Sequence, residues 1–225
     1  MKFVKARYDL KVATSLIVFA CLFSFVRCTN APVNIATIKV SSLQELENIQ
    51  DVDSIGLLVI NLDSSFSLNE TADILNEIAI TNLEIGGREV VCQKSIKING
   101  LRTLRVTGPD EIDLSGFQSN GELEYVFLCS NCFKGLGFIV DSEVKDIGLH
   151  SLNDSIPAAL KGMNGVRRLT LIGSGICSSK ELIENLPRNL SSLNIQSACD
   201  NNILSETELQ SISQVLGISI DQIER

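Results

Sequence analysis

Residues 166–171 read Val-Arg-Arg-Leu-Thr-Leu, with apolar side chains at the first, fourth and sixth positions and polar ones between. The same spacing begins at Ile35, Ile55, Ile80, Leu101, Leu123, Val144, Val166, Leu190 and Val215, so nine copies lie 20 to 25 residues apart. Because 44% of the chain is hydrophobic, stray matches arise by chance, and it is the steady interval that carries weight. The stray matches at Val52, Leu57 and Leu75 blur the register of two early copies. A period of this length marks a repeat protein. Each copy reads as a short strand whose apolar row enters a common core while the residues between face outward. One such unit cannot bury its apolar row alone, so neighbours must stack and continue one another's core, giving a solenoid and a single domain.

Leu123–Leu128, with Asn131 after it, and Leu190–Ile195, preceded by Leu186 and Pro187, resemble the Leu-x-x-Leu-x-Leu signature of leucine-rich repeat proteins. The resemblance covers about residues 35 to 220, and most other copies lack the Asn. It implies an irregular member of that family: an α/β leucine-rich-repeat solenoid, or horseshoe, of about nine repeats. Helix starts agree with it. Ser42 with Glu45, Ser67 with Glu70, Ser178 with Glu181 and Ser205 with Glu208 all have capping-box spacing and each introduces an amphipathic run. The middle repeats are shorter and richer in glycine, which predicts turns in place of the helix, and Ser95–Val106 alternates apolar and polar residues in a way that also suits a parallel β-helix. Some β-helices cleave polysaccharides, so that fold carries an enzymatic alternative.

The beginning of the chain reads differently. Lys2, Lys5, Arg7 and Lys11 precede an apolar run from Leu16 to Val26, the pattern of a secretory signal peptide over residues 1–28. The run is short for a membrane span, which needs about 20 apolar residues. The expected division is therefore a signal peptide, 1–28, and a leucine-rich repeat domain, 29–225, with no membrane span after cleavage. Removing residues 1–28 takes five basic and one acidic residue from totals of 19 and 27, leaving 14 against 26 and a net charge of −12. Such a balance argues against nucleic acid and anionic membranes as partners.

A secreted chain permits disulfides. Cys177 and Cys199 stand 22 residues apart, close to one repeat, and are the expected bridge. Cys129 and Cys132 form a Cys-x-x-Cys pair that reads as a local structural bridge, there being no further ligands for zinc and no helix start to activate a thiol. Cys92 reads as a buried, small apolar residue. Asn69, Asn153 and Asn189 each begin an Asn-x-Ser/Thr triplet and are candidate glycan sites, Asn69 and Asn153 in predicted connecting segments. The lone histidine, His150, lies near Asp146 and beside Ser151, a spacing poorly suited to a triad. Neither a metal nor a cofactor is implied.

In a horseshoe the outward strand residues line the concave face, so the resemblance turns register into a surface. Four neighbouring repeats place Arg102, Thr103 and Arg105, then Glu124, Tyr125 and Phe127, then Lys145, Asp146 and Gly148, then Arg167, Arg168 and Thr170 on that face. Four arginines thus surround two aromatics on an acidic chain, and Tyr and Arg are residues that concentrate binding energy. The bland alternative is that each arginine merely pairs with a nearby acid. From this follows the expectation of a secreted, nonenzymatic, monomeric recognition protein whose partner, a protein or glycan, docks on Arg102, Arg105, Tyr125, Phe127, Lys145, Asp146, Arg167 and Arg168. The alternatives are a structural component of an extracellular coat or wall, and a β-helical enzyme acting on polysaccharide.

Overall fold

The computed structural model describes residues 37–49, 52–62, 66–118, 120–140, 144–151, 160, 162–173, 184–197, 205–218 and 223–224, all within one compact unit, Ile35–Arg225. Residues 1–28, Asn153, Cys177, Cys199 and the Ser178 helix start lie outside the described residues.

Nine strands form one parallel sheet: β1 (Thr37–Val40), β2 (Ser54–Asn61), β3 (Ala79–Gly86), β5 (Thr103–Gly108), β7 (Tyr125–Ser130), β9 (Asp146–Ser151), β10 (Arg168–Gly173), β11 (Ser192–Ser197) and β12 (Ile223–Glu224), neighbouring one another in chain order. Three short strands, β4 (Glu89–Val91), β6 (Glu111–Asp113) and β8 (Phe133–Lys134), form a second parallel sheet. The register explains the apolar spacing. Leu58, Leu83, Leu104, Val126, Ile147, Leu169 and Leu193 are cross-strand partners in one row, and Ile60, Ile85, Val106, Leu128, Leu149, Leu171 and Ile195 in the next. All are buried. Period-two alternation sends these rows to one core and leaves the residues between them on the opposite face of the sheet.

The leucine-rich-repeat horseshoe of about nine strand-and-helix repeats is corrected by this architecture, which is a mostly parallel β structure with few helices. Helices with described bounds are α1 (Leu43–Glu47), α2 (Leu68–Glu77), α3 (Gly137–Val140) and α4 (Glu206–Leu216), and Glu184 and Asn185 are also helical. Through the middle of the chain the connections carry the short strands β4, β6 and β8 where the glycine-rich repeats were expected to hold turns. The reason is steric. A Cβ on Gly116 would stand 2.0 Å from the Lys94 carbonyl oxygen, and one on Gly135 would stand 2.1 Å from the Ser115 nitrogen. Backbone there stacks directly on backbone, at the roughly 4.8 Å spacing of neighbouring strands rather than the 8–10 Å between packed helices. The ninth motif copy is a second correction, because Val215 falls in α4 and the last strand comes later, at Ile223.

Where helices do form, their starts are those the capping spacing gives. The Ser42 hydroxyl accepts from the Glu45 N–H at 3.3 Å before α1. Before α2 the Glu70 carboxylate accepts from the Ser67 N–H at 2.6 Å, and before α4 the Glu208 carboxylate accepts from the Ser205 N–H at 2.8 Å. Each satisfies a donor that the first helical turn leaves unpaired. Donation by the Ser41 N–H, at 2.7 Å, holds the Glu45 carboxyl below its usual range, and donation by the Ser67 N–H does the same for Glu70. Among the described residues no helix is long and apolar enough to cross a membrane.

Candidate recognition face

The side of the large sheet turned away from the core carries the sequence-predicted residues in rows. Asn82, Thr103, Tyr125, Asp146, Arg168 and Ser192 are successive cross-strand partners, and so are Glu84, Arg105, Phe127, Gly148, Thr170 and Asn194. One step before the first row, Arg102, Glu124, Lys145 and Arg167 are linked through the backbone. The Glu124 N–H donates to the Arg102 carbonyl at 2.9 Å, the Lys145 N–H to Glu124 at 3.1 Å and the Arg167 N–H to Lys145 at 2.8 Å. Of the eight predicted residues, Arg105, Tyr125, Phe127, Asp146 and Arg168 lie in these rows of β5, β7, β9 and β10, while Arg102, Lys145 and Arg167 stand one residue before β5, β9 and β10.

Gly148 sets the shape of this face. A Cβ there would meet Phe127 Cδ2 at 2.6 Å and Cε2 at 3.3 Å, with Tyr125 Oη 3.6 Å away. Phe127 thus leans across the gap between strands and lies over the bare backbone of β9, with Tyr125 tilted toward the same spot. A glycine inside a strand commonly marks such a close approach. Both rings are half-buried. Arg105 continues the layer: its Cζ sits 5.8 Å from the centre of the Tyr125 ring, within cation–π range, and its Nη1 is 3.8 Å from Glu84. Burial pushes the Tyr125 phenol up, with Arg105 opposing the shift and Asp146 adding to it.

Two of the four arginines follow the bland reading in part. Arg168 makes a two-pronged bond to Asp146, Nε to Oδ1 at 2.6 Å and Nη2 to Oδ2 at 2.5 Å. The hydrogen bond and charge of Asp146 raise the Arg168 guanidinium above its ordinary value. Arg105 shares Glu84. Exposed pairs of this kind add little stability but fix orientation. Arg167 donates to the Asn189 carbonyl at 3.2 Å, which turns one end of its guanidinium to the next connection. Arg102, Lys145 and Arg167 are exposed.

A neighbouring pair was not foreseen. Cys129 and His150 are cross-strand partners in the next row, with Sγ 3.3 Å from Nδ1. Burial pushes the thiol up to about 11 and lowers the imidazole, so both groups are held neutral. Their separation of 21 residues is one repeat, a signal that the sequence did contain. Cys129 and Cys132 are both free thiols, which corrects the local bridge expected of them. Cys92 is buried, its thiol pushed up to about 12 by burial and then by Asp113.

The candidate glycan sites divide. Asn69 lies inside α2 rather than in a connection, and its Oδ1 accepts from the Gln93 and Lys94 N–H groups at 2.7 and 3.0 Å. Asn189 is exposed and donates to the Asn164 carbonyl at 3.1 Å. No protein-family model, curated protein or solved structure matches this chain.

Proposed function

We propose that this chain is a secreted, nonenzymatic recognition protein that binds a protein or glycan partner through the outward face of the large sheet from β5 to β10. The observation that carries the reading is the pair of half-buried rings, Tyr125 and Phe127, laid against Gly148 beside Arg105. Aromatic and arginine side chains offer large contact area with few degrees of freedom to freeze, and so concentrate binding energy where they cluster. Neighbouring polar and charged groups, Thr103, Thr170, Asp146 and Arg168, would form the wetter margin of such a patch. The signal-peptide pattern of residues 1–28 supports the secreted placement.

The test is capture of partners from extracellular material by the full chain, comparing wild type with Arg105→Gln plus Phe127→Ala. Circular dichroism monitors the fold. A partner held by wild type and lost by the folded variant is the expected result. A partner retained equally by both excludes this face as the recognition surface.

A further inference from the structure

One pair of side chains on the outward face belongs neither to the hydrophobic core nor to the two recognition rows. Cys129 and His150 are partners across β7 and β9, with Sγ 3.3 Å from Nδ1. Their own cross-strand neighbours are Thr107 and Ile172, so no carboxylate stands beside them in the row. Cys129 is 6% exposed and His150 is half-buried. With its hydrogen on Nε2, the imidazole accepts the thiol proton at Nδ1, and the two atoms then share one proton.

That proton marks a place for a cation. Metal–sulfur and metal–nitrogen bonds of roughly 2.3 and 2.0 Å, meeting near 110°, put the two ligand atoms about 3.5 Å apart. The pair therefore already stands close to a chelating bite. Among the described residues no group of three His, Cys, Asp or Glu side chains comes together, so an ion that demands four protein ligands, as structural zinc does, is not served by them. Hard cations want oxygen ligands, whereas thiolate and imidazole together suit copper(I). Charge makes the same selection. Burial keeps both groups neutral, and exchanging one proton for a monovalent ion leaves the site neutral. A divalent ion would leave a positive charge there without a partner, which burial penalises. We propose that Cys129 Sγ and His150 Nδ1 bind copper(I). In the exchange the S–H bond breaks, a sulfur–copper bond forms, the Nδ1 lone pair turns from the proton to copper, and one proton leaves to solvent. The bent bite leaves a third position for a ligand from outside the chain.

His150 is the only histidine in the chain, which gives the test a single imidazole to follow. The full chain, labelled with nitrogen-15 at histidine, is titrated without oxygen until its thiols are saturated. The probes are copper(I), silver(I) as a redox-inert substitute, and zinc(II), and competition with bicinchoninate counts the copper(I) held. Variants are Cys129→Ser, His150→Gln and Cys132→Ser, each checked by circular dichroism. Copper(I) and silver(I) are expected to shift the Nδ1 resonance, with the shift lost in Cys129→Ser and kept in Cys132→Ser. His150→Gln is expected to hold one copper(I) fewer than wild type. Should Cys129→Ser fail to fold, the wild-type spectrum decides, a shift at Nδ1 supporting the site and a shift at Nε2 overturning it. No shift, a shift that persists in folded Cys129→Ser, or undiminished copper(I) in His150→Gln also overturns it. Zinc(II) shifting Nδ1 at the same concentration as copper(I) overturns the choice of a monovalent ion.

Discussion

Gly148 does for this surface what a side chain does elsewhere, by being absent. Its missing Cβ makes the space in which Phe127 lies, and any larger residue must lift the ring. Gly148→Val is therefore expected to cost about 1–3 kcal/mol through overpacking. It should also weaken partner binding without altering a single charge, as read by denaturant unfolding and by titration of the captured partner. Unchanged binding in a folded Gly148→Val protein would separate recognition from the ring. His150 is a second residue-scale test, because it is the chain's one histidine and burial holds its imidazole below the ordinary value. The unfolded chain takes up that proton first as pH falls. The residue's contribution to stability is thus whole above about pH 6.5 and is lost as pH drops through the lower folded value. Wild type should lose more stability than His150→Gln between about pH 7.5 and 5.5, and parallel losses would contradict the buried neutral pair with Cys129. The pairing was legible in principle as a one-repeat interval. It was hidden because Cys129 also belongs to a Cys-x-x-Cys, a local pattern that drew the reading along the chain instead of across it.

At the scale of elements, strands were easier to foresee than what connects them. The apolar triplet spacing marks β2, β3, β5, β7, β9, β10 and β11 because two buried rows impose it directly. The start of α4 was equally plain, since a Ser and a Glu three residues apart satisfy each other's backbone donors. Ser205→Ala should accordingly cost about 1 kcal/mol in a denaturant titration, and an effect near zero would mean that the helix end is held by packing alone. Misread were β4, β6 and β8. Strands of two or three residues show too little alternation to be told from turns, and the glycines around them signal bends without saying that backbones stack there. The copy at Val215 shows the converse error, because α4 carries apolar residues at helical intervals that also satisfy the triplet spacing by accident.

In the whole molecule, parallel strands in chain order bring residues one repeat apart into contact and so turn a period in sequence into a surface. Arg105, Tyr125, Phe127, Asp146 and Arg168 come from four separate strands, yet they form one patch because the strands between β3 and β10 share register. The patch was legible in the sequence for that reason, whereas the lean of the rings and the Arg168–Asp146 pairing depend on side-chain packing that spacing does not encode. The proposed recognition surface is this face and not the small sheet, where Lys134 bonds Glu111 at 2.5 Å. The most direct measurement is photo-crosslinking, with benzoylphenylalanine placed at Tyr125 in one protein and at Lys134 in another, each exposed to extracellular material. Adducts formed from position 125 and absent from position 134 are the predicted result. Adducts from position 134 alone would contradict the proposal and move recognition to the small sheet.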